Sequence, residues 1–354
     1  MSQIKEIAII GHFGGNEEIL DGQTVKTKIL YNELQNATDW KIKKVDTYYK
    51  SKKPLKLLCD TIKCVLTTKH IIILLSRNGM RFYFPLLSLC SKLFGTRVYH
   101  DLIGGSLDKL VLQYPDFRKY LNNFKVNWVE SAGLKLRLQK VGVTNCEVMP
   151  NFKRLNVLTH YCEEYAEPFR FCIFSRVMKE KGVETAIEAV EAINKSSGRE
   201  VCKLDIYGRI DDGYKNRFEE LLQTVSSAVN YKGMVPYDKS VEAIKDYYAL
   251  LFPTYWDGEG FPGTIVDAFS AGLPVLATDW NCNAEIVDDM VNGIIYPNKD
   301  IKDLRSAIEW CISHKKEVIS WKKSCLEKAM EYQPDSYIKQ IIRTIEYWSN
   351  PHTE

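Results

Sequence analysis

The segment from Pro253 to Pro274 holds the densest set of residues that could do chemistry. It reads Pro253-Thr-Tyr-Trp-Asp-Gly-Glu259-Gly260-Phe261-Pro262-Gly263-Thr264-Ile-Val-Asp267 and closes at Gly272-Leu-Pro. An apolar run ends at Phe252, a loop rich in Gly and Pro follows, and a helix is expected over 264–271. The first amides of such a helix are unpaired and carry the positive end of its dipole, so they suit an anion or a ring of hydroxyls. Glu259 stands at the loop tip. Asp267 lies one turn inside the helix, at an end expected to face a cleft, where its carboxylate could accept bonds from a diol such as ribose. The plain alternative is a solvated loop acid and an interior helix charge.

A second cluster is Phe174-Ser175-Arg176-Val-Met-Lys-Glu-Lys181-Gly182. A strand would deliver Arg176, and Lys181 would stand at the mouth of the next helix. Two fixed cations at a strand's carboxyl end can bind a diphosphate and offset its growing charge as it leaves. Read alone, they are a surface Lys/Arg pair. Tyr231-Lys-Gly233-Met234-Val235-Pro236 is a strand end with a rigid turn whose backbone groups could read the edge of a base. In the first half, Gly11-His-Phe-Gly14-Gly15-Asn16 lets the backbone approach a ligand closely. It is not G-x-G-x-x-G, so a dinucleotide fingerprint is poorly supported. His100-Asp101 precedes Gly104-Gly105, and a histidine there could hold or deprotonate a hydroxyl; a lone histidine is more often structural. The chain has no Asp-x-Asp pair, Walker loop, H-E-x-x-H or G-x-S-x-G. No essential metal and no cofactor are therefore expected.

The elements that must position these residues alternate between short apolar runs and helical patterns. In the first half, strands are expected over 7–10, 40–45, 71–75, 98–101, 127–129 and 147–149, with helices over 23–34, 55–66, 81–93 and 133–140. The second half repeats the plan, with strands over 171–174, 203–207, 230–233, 250–252, 275–277 and 294–296. Helices are expected there over 184–193, 214–222, 241–248, 264–271 and 301–312, and a last one over 334–349. Such alternation means right-handed βαβ units and a parallel sheet covered on both faces. The expected division is an N-terminal Rossmann-like domain at 1–150, a linker at 151–168, a C-terminal Rossmann-like domain at 169–333, and a terminal segment at 334–354 returning to the first domain. A ligand would lie at the carboxyl ends of the strands, in an interdomain cleft.

The chain has 354 residues, 45% hydrophobic and 26% charged, which excludes collagen-like, disulfide-scaffold and wholly disordered classes. Residues 82–94 form the most apolar stretch, but Pro85 and Lys92 interrupt it and it is too short to span a bilayer. The start of the chain shows no signal-peptide pattern, and the ten cysteines form no C-x-x-C. Both point to reduced thiols and a cytoplasmic protein. Residues 1–150 hold 23 Lys+Arg against 13 Asp+Glu, and the remainder holds 25 against 32. Nine lysines and only two aspartates fall within 41–69. A basic first half suits an anionic partner, or is simply solvated helix surface.

Taken together, Ser175-Arg176 to Lys181-Gly182, Gly233-Met-Val, Glu259-Gly-Phe-Pro to Asp267-Ala, and Ala271-Gly-Leu-Pro-Val resemble glycosyltransferase family 4. The resemblance extends to the Gly14-Gly15 loop, the Met149-Pro-Asn seam and the last helix. It implies the GT-B fold, an α/β architecture of two Rossmann-like doubly wound parallel-sheet domains facing across a cleft. It also implies a retaining enzyme using a sugar nucleotide, a UDP-sugar being favoured. By that resemblance Arg176 and Lys181 would hold the diphosphate, and Glu259 with Gly260, Phe261, Pro262, Gly263 and Thr264 the donor sugar. Asp267 would hold the ribose, and Gly233, Met234 and Val235 the base. Gly14, Gly15 and Gly208 join the donor-binding set, with Gly15 and His100 on the acceptor side. Asp267 departs from the family's Glu-x7-Glu pattern by one methylene.

The expected function is transfer of a sugar to a glycan acceptor, lipid-linked in cell-surface polysaccharide biosynthesis. No nucleic acid is expected as a partner. An anionic membrane surface is, because the lysine-dense stretch adjoins the apolar one and the protein could sit on the inner face of the membrane. Lys50, Lys52, Lys53 and Lys56 carry that expectation, while Phe82, Phe84, Leu86, Leu87, Leu89 and Leu93 are read mostly as core. The alternatives are a catalytically inactive nucleotide-sugar-binding module and a GT-B nucleotide-sugar epimerase.

Overall fold

The computed structural model describes residues 4–17, 21–297 and 300–349. The first three residues of the expected 1–150 domain and the last five of the expected 334–354 segment lie outside them. Two six-stranded sheets organise the described chain, and every strand pair is parallel.

The first sheet holds β1 (Glu6–Gly11), β2 (Lys41–Asp46), β3 (His70–Leu74), β4 (Arg97–Asp101), β5 (Val126–Val129) and β6 (Cys146–Val148), in the order β2-β1-β3-β4-β5-β6. Strand residues alternate between faces. On β1, Ile7 and Ile9 join one buried cluster with Tyr99 and Trp128. Ala8 and Ile10 join another with Phe84 and Leu87. Both faces are covered, and this is why β1 reads as a continuous apolar run. The helix Pro334–Ser349 lays Ile338, Ile341 and Ile345 into the same cluster as Ile7 and Ile9.

The second sheet holds β7 (Phe169–Phe174), β8 (Cys202–Tyr207), β9 (Val229–Gly233), β10 (Ala249–Phe252), β11 (Val275–Thr278) and β12 (Gly293–Tyr296), in the order β12-β11-β10-β7-β8-β9. Strand order reverses between β7 and β10. In open parallel sheets such a reversal leaves a crevice at the carboxyl ends of the two strands, where ligands bind.

The chain divides into two compact units. One runs to Arg154 and resumes at Gln333; the other is Leu155–Tyr332. Arg154 is clasped by Glu33 at 2.8 Å and Asp335 at 3.2 Å, both of its own unit. Leu155, Val157 and Leu158 pack on the core of the second unit. All ten cysteines are free thiols. Among the described residues, no helix is long and apolar enough to cross a membrane.

Three of the differences between the described helices and the sequence expectation have physical reasons. The helix expected over 241–248 stops at Ile244. Beyond it, Tyr247 and Tyr248 turn inward to donate to Asp205 at 2.6 Å and to the Cys311 carbonyl at 2.7 Å. The helix expected over 81–93 begins at Arg77, because Ser76 caps it by accepting from the Gly79 amide, at 3.4 Å. The helix Lys315–Glu331 has no counterpart in the sequence reading. Its buried stripe of Val318, Trp321, Lys322, Cys325 and Ala329 contains a lysine, which breaks the apolar period.

Candidate functional site

Arg176, Lys181, Glu259 and Thr264 come together at the carboxyl ends of β7 and β10, where the strand order reverses. After β7, a single 3₁₀ turn over Lys179–Lys181 carries Lys181 inward, and Gly182 turns the chain into the helix Val183–Ser197. Gly182 has φ 72°, and a Cβ there would lie 2.2 Å from the Pro253 carbonyl oxygen. Only glycine lets the two loops meet so closely. The Tyr255 amide then donates to the Glu180 carbonyl at 2.8 Å and fastens the loop after β10 to the loop after β7.

Inside this junction Lys181 and Glu259 form an ion pair, with both side chains at least nine-tenths buried. Thr254 donates its hydroxyl to the same carboxylate oxygen at 2.9 Å. The Lys181 ammonium also lies over the rings of Trp256 at 5.2 Å and Phe252 at 5.5 Å. A lysine carries three donors, so the Glu259 bond leaves capacity for another acceptor. Arg176 is exposed, its nearest acid being Asp211 at 3.9 Å. The helix Gly263–Ser270 opens beside the pair, with Pro262 as its cap residue and Thr264 donating to the Phe174 carbonyl on β7. The arrangement combines a held lysine, an exposed arginine and the positive end of a helix dipole, which together suit a phosphate-bearing ligand.

The flanking residues are held by backbone geometry. Gly260 accepts from the Cys282 thiol at 3.2 Å, and Phe261 packs edge-on to Tyr332. Gly208 has φ 133°, and a Cβ on it would fall 1.8 Å from the Ser175 carbonyl oxygen. The end of β8 therefore touches the start of the Arg176 loop, and the Gly208 amide donates to the Gly233 carbonyl at 2.9 Å. Met234 is exposed and Val235 partly so. Asp267 is buried and accepts from the Ser240 hydroxyl at 2.8 Å. A ribose would have to share that carboxylate with Ser240.

Gly14, Gly15 and His100 belong to the first unit. The Gly15 amide donates to Asp46 at 2.8 Å, and a side chain at Gly15 would strike the Tyr48 ring. His100 requires a correction. Its neighbours on β4 alternate, so Asp101 points toward Lys26 while His100 points into the opposite cluster, edge-on to Phe84 and 6.4 Å from Phe124. It is fully buried, bonded through Nδ1 to Asn127 at 3.2 Å, and its Nε2 has no partner. In this structure the ring is packed in the core rather than presented at the strand end. The polar group at the carboxyl end of β4 is instead Lys26, buried between Asp101 at 2.9 Å and Glu130 at 3.0 Å. Burial opposes the ammonium, but the two carboxylates outweigh it and hold its pKa above the ordinary value.

Sequence reasoning missed Thr254, Trp256 and the loop after β11. There Trp280 donates to the Trp256 carbonyl at 2.9 Å and Asn281 to the Glu259 carbonyl at 3.0 Å. Asn281 sits at φ 51°, a left-handed conformation that asparagine tolerates. The available signal was position: Trp280-Asn281-Cys282 follows the carboxyl end of β11, the neighbour of β10. Among the described residues, no group of three or more His, Cys, Asp or Glu is placed to hold a metal ion.

This site lies in the part of the chain with recognisable kin. Residues 163–325 match the family described as Glycosyl transferases group 1. The chain is 21% identical over 245 residues to an uncharacterized glycosyltransferase of Methanocaldococcus jannaschii, covering 63% of this chain and 59% of that protein. It is 23% identical over 174 residues to the amylovoran biosynthesis glycosyltransferase AmsK of Erwinia amylovora, covering 48% of this chain and 41% of that protein. The chain thus spans about half the length of these relatives. Two solved structures share the fold over 97% of this chain, each at 14% identity. Sucrose-phosphate synthase from Thermosynechococcus elongatus matches over 98% of its own chain with a TM-score of 0.77, and Anabaena HepE in complex with UDP and glucose over 100% with 0.70. The fold is that of the GT-B glycosyltransferases, and the group 1 glycosyltransferase match falls within the second unit.

Proposed function

We propose that the protein transfers a sugar from a nucleotide-sugar donor, a UDP-sugar in the first instance, to a glycan acceptor in polysaccharide assembly, with retention at the anomeric carbon and no essential metal. The observation that carries this reading is the buried Lys181–Glu259 pair at the β7/β10 reversal, inside the group 1 match. The UDP held by HepE supports the donor, and the amylovoran biosynthesis for which AmsK is named supports the product class.

In this reading the diphosphate lies between Arg176 and the amides of Gly263 and Thr264, with the Lys181 ammonium beneath it. As the bond from sugar to phosphate breaks, charge grows on the departing diphosphate, and these fixed donors stabilise it without reorganising. Glu259 holds Lys181 in place and offers its carboxylate edge to the sugar hydroxyls. The test is a thermal-shift screen of sugar nucleotides, because a ligand of the folded state raises apparent stability. A stabilising UDP-sugar, followed by release of UDP that persists in excess EDTA, is the expected result. No stabilisation by any sugar nucleotide refutes the donor class. UDP release abolished by EDTA and restored by magnesium refutes metal independence.

A further inference from the structure

The outer surface of the first unit carries two apolar stripes that the fold does not use. The helix Pro54–Thr67 buries Thr61, Cys64 and Val65. On another side it turns Leu55, Leu58, Ile62 and Leu66 outward, 78%, 41%, 47% and 63% exposed. Their spacing of three and four residues makes one stripe. The neighbouring helix Arg77–Phe94 repeats the pattern. It buries Tyr83, Phe84 and Leu87 and leaves Phe82, Leu89, Leu93 and Phe94 each more than half exposed. The Tyr83 and Thr61 hydroxyls, 3.0 Å apart, join the buried sides of the two helices. The expectation that Phe82, Leu89 and Leu93 serve as core is therefore corrected: they face solvent, while Phe84 and Leu87 are core. Scattered exposed leucines are ordinary, but eight large apolar side chains on two adjacent helices mark an interaction surface.

Charge selects the occupant. The two helices carry Lys56, Lys63, Arg77, Arg81 and Lys92 against Asp60 alone. Lys56, Lys63 and Lys92 make no ion pair among the described residues. A second copy docked face to face would set this cationic rim against itself, since a two-fold interface pairs a patch with its own image. An anionic lipid surface answers both features. Apolar side chains enter the boundary between headgroup and acyl chain, and lysines stay at the phosphates. We propose that this two-helix face docks the protein on an anionic membrane. The docking is independent of donor chemistry and extends the proposed function by placing the enzyme where a lipid-linked acceptor resides.

The experiment is co-sedimentation of the full chain, without donor, with vesicles of phosphatidylcholine alone or mixed with phosphatidylglycerol. Binding is expected only to the mixed vesicles and should weaken steeply with salt. The variant Lys56→Gln/Lys63→Gln/Lys92→Gln should lose about fivefold in partitioning per lysine. The variant Leu55→Gln/Leu66→Gln/Phe82→Gln/Leu93→Gln should lose about a hundredfold at any salt and keep the wild-type melting temperature, because the replaced side chains are exposed. The proposal is overturned if wild type ignores anionic vesicles at low salt, or if the apolar variant partitions as wild type does. It is also overturned if light scattering finds a dimer that the apolar variant dissolves. Vesicle binding by a protein that releases no UDP would sink the proposed function and leave this surface standing.

Discussion

The Lys181–Glu259 pair makes a prediction whose size follows from its burial. Its side chains are 10% and 7% exposed. Unit charges 4 Å apart attract by about 4 kcal/mol at an effective dielectric of 20, and removing one member of a buried pair costs about 3–5 kcal/mol because the other stays buried and unpaired. Glu259→Gln keeps the shape and the Thr254 contact but removes the countercharge of Lys181. Lys181→Met removes the cation and leaves a buried carboxylate with the Thr254 hydroxyl. Each should destabilise by about 3 kcal/mol, about 6–12 °C for a unit of this size. The double variant leaves no orphaned charge and should cost about 1–2 kcal/mol, so the coupling is about 4–5 kcal/mol.

Urea unfolding followed by tryptophan fluorescence is the assay, since Trp256 lies against Lys181 and reports on this corner of the unit. Additivity of the two single variants within about 0.5 kcal/mol would refute the pair as a coupled element. The same proteins test the role of Lys181 toward the donor. If a diphosphate becomes its counterion, UDP should raise the melting temperature of Glu259→Gln more than that of wild type. A smaller rise would take Lys181 away from the diphosphate.

Arg176→Ala should cut turnover by about 10²–10³, the usual loss for one preorganised charge at a developing anion, with no change in melting temperature because Arg176 is exposed; wild-type turnover in this variant removes Arg176 from the site. Below pH 6.5 the first unit should lose stability through His100, whose pKa is pushed down to about 4 by burial and by the charge of Lys26, against the Asn127 bond. The unfolded chain takes up a proton near 6.5 that the folded one refuses until about 4, so the loss accumulates between those values and reaches about 3 kcal/mol. His70, also lowered to about 4, adds in the same direction, and Asp101, raised by burial, opposes it. The contribution of His100 is therefore read as the difference between wild type and His100→Asn in urea unfolding at pH 7 and pH 4.5, and an equal pH dependence in both refutes it.

The parts of this structure legible in the sequence are those governed by local rules. Continuous apolar runs such as Ile7–Ile10 mean doubly covered parallel strands, and Gly182 and Gly272 mark a helix start and a helix end because few other residues accept those conformations. The loop from Pro253 to Pro262 was legible as the link between a strand end and a helix start because strand end, glycine and helix start fall in one short segment. What was not legible depends on side-chain direction. His100 and Asp101 are consecutive on a strand end, and nothing in their types says which one turns into the aromatic core and which toward Lys26. Asp267 reads as a free carboxylate until the short helix at Ser240 brings a hydroxyl to it. Lys181 reads as a free cation until the loop after β10 folds Glu259 onto it. In each case the partner comes from an element distant in sequence, and spacing along one segment carries no information about it. The pairing changes the chemistry expected of the site: Lys181 is not a bare charge but half of a buried pair, with donor capacity left beyond the Glu259 bond. Arg176, by contrast, is exposed and pairs with Asp211 at 3.9 Å.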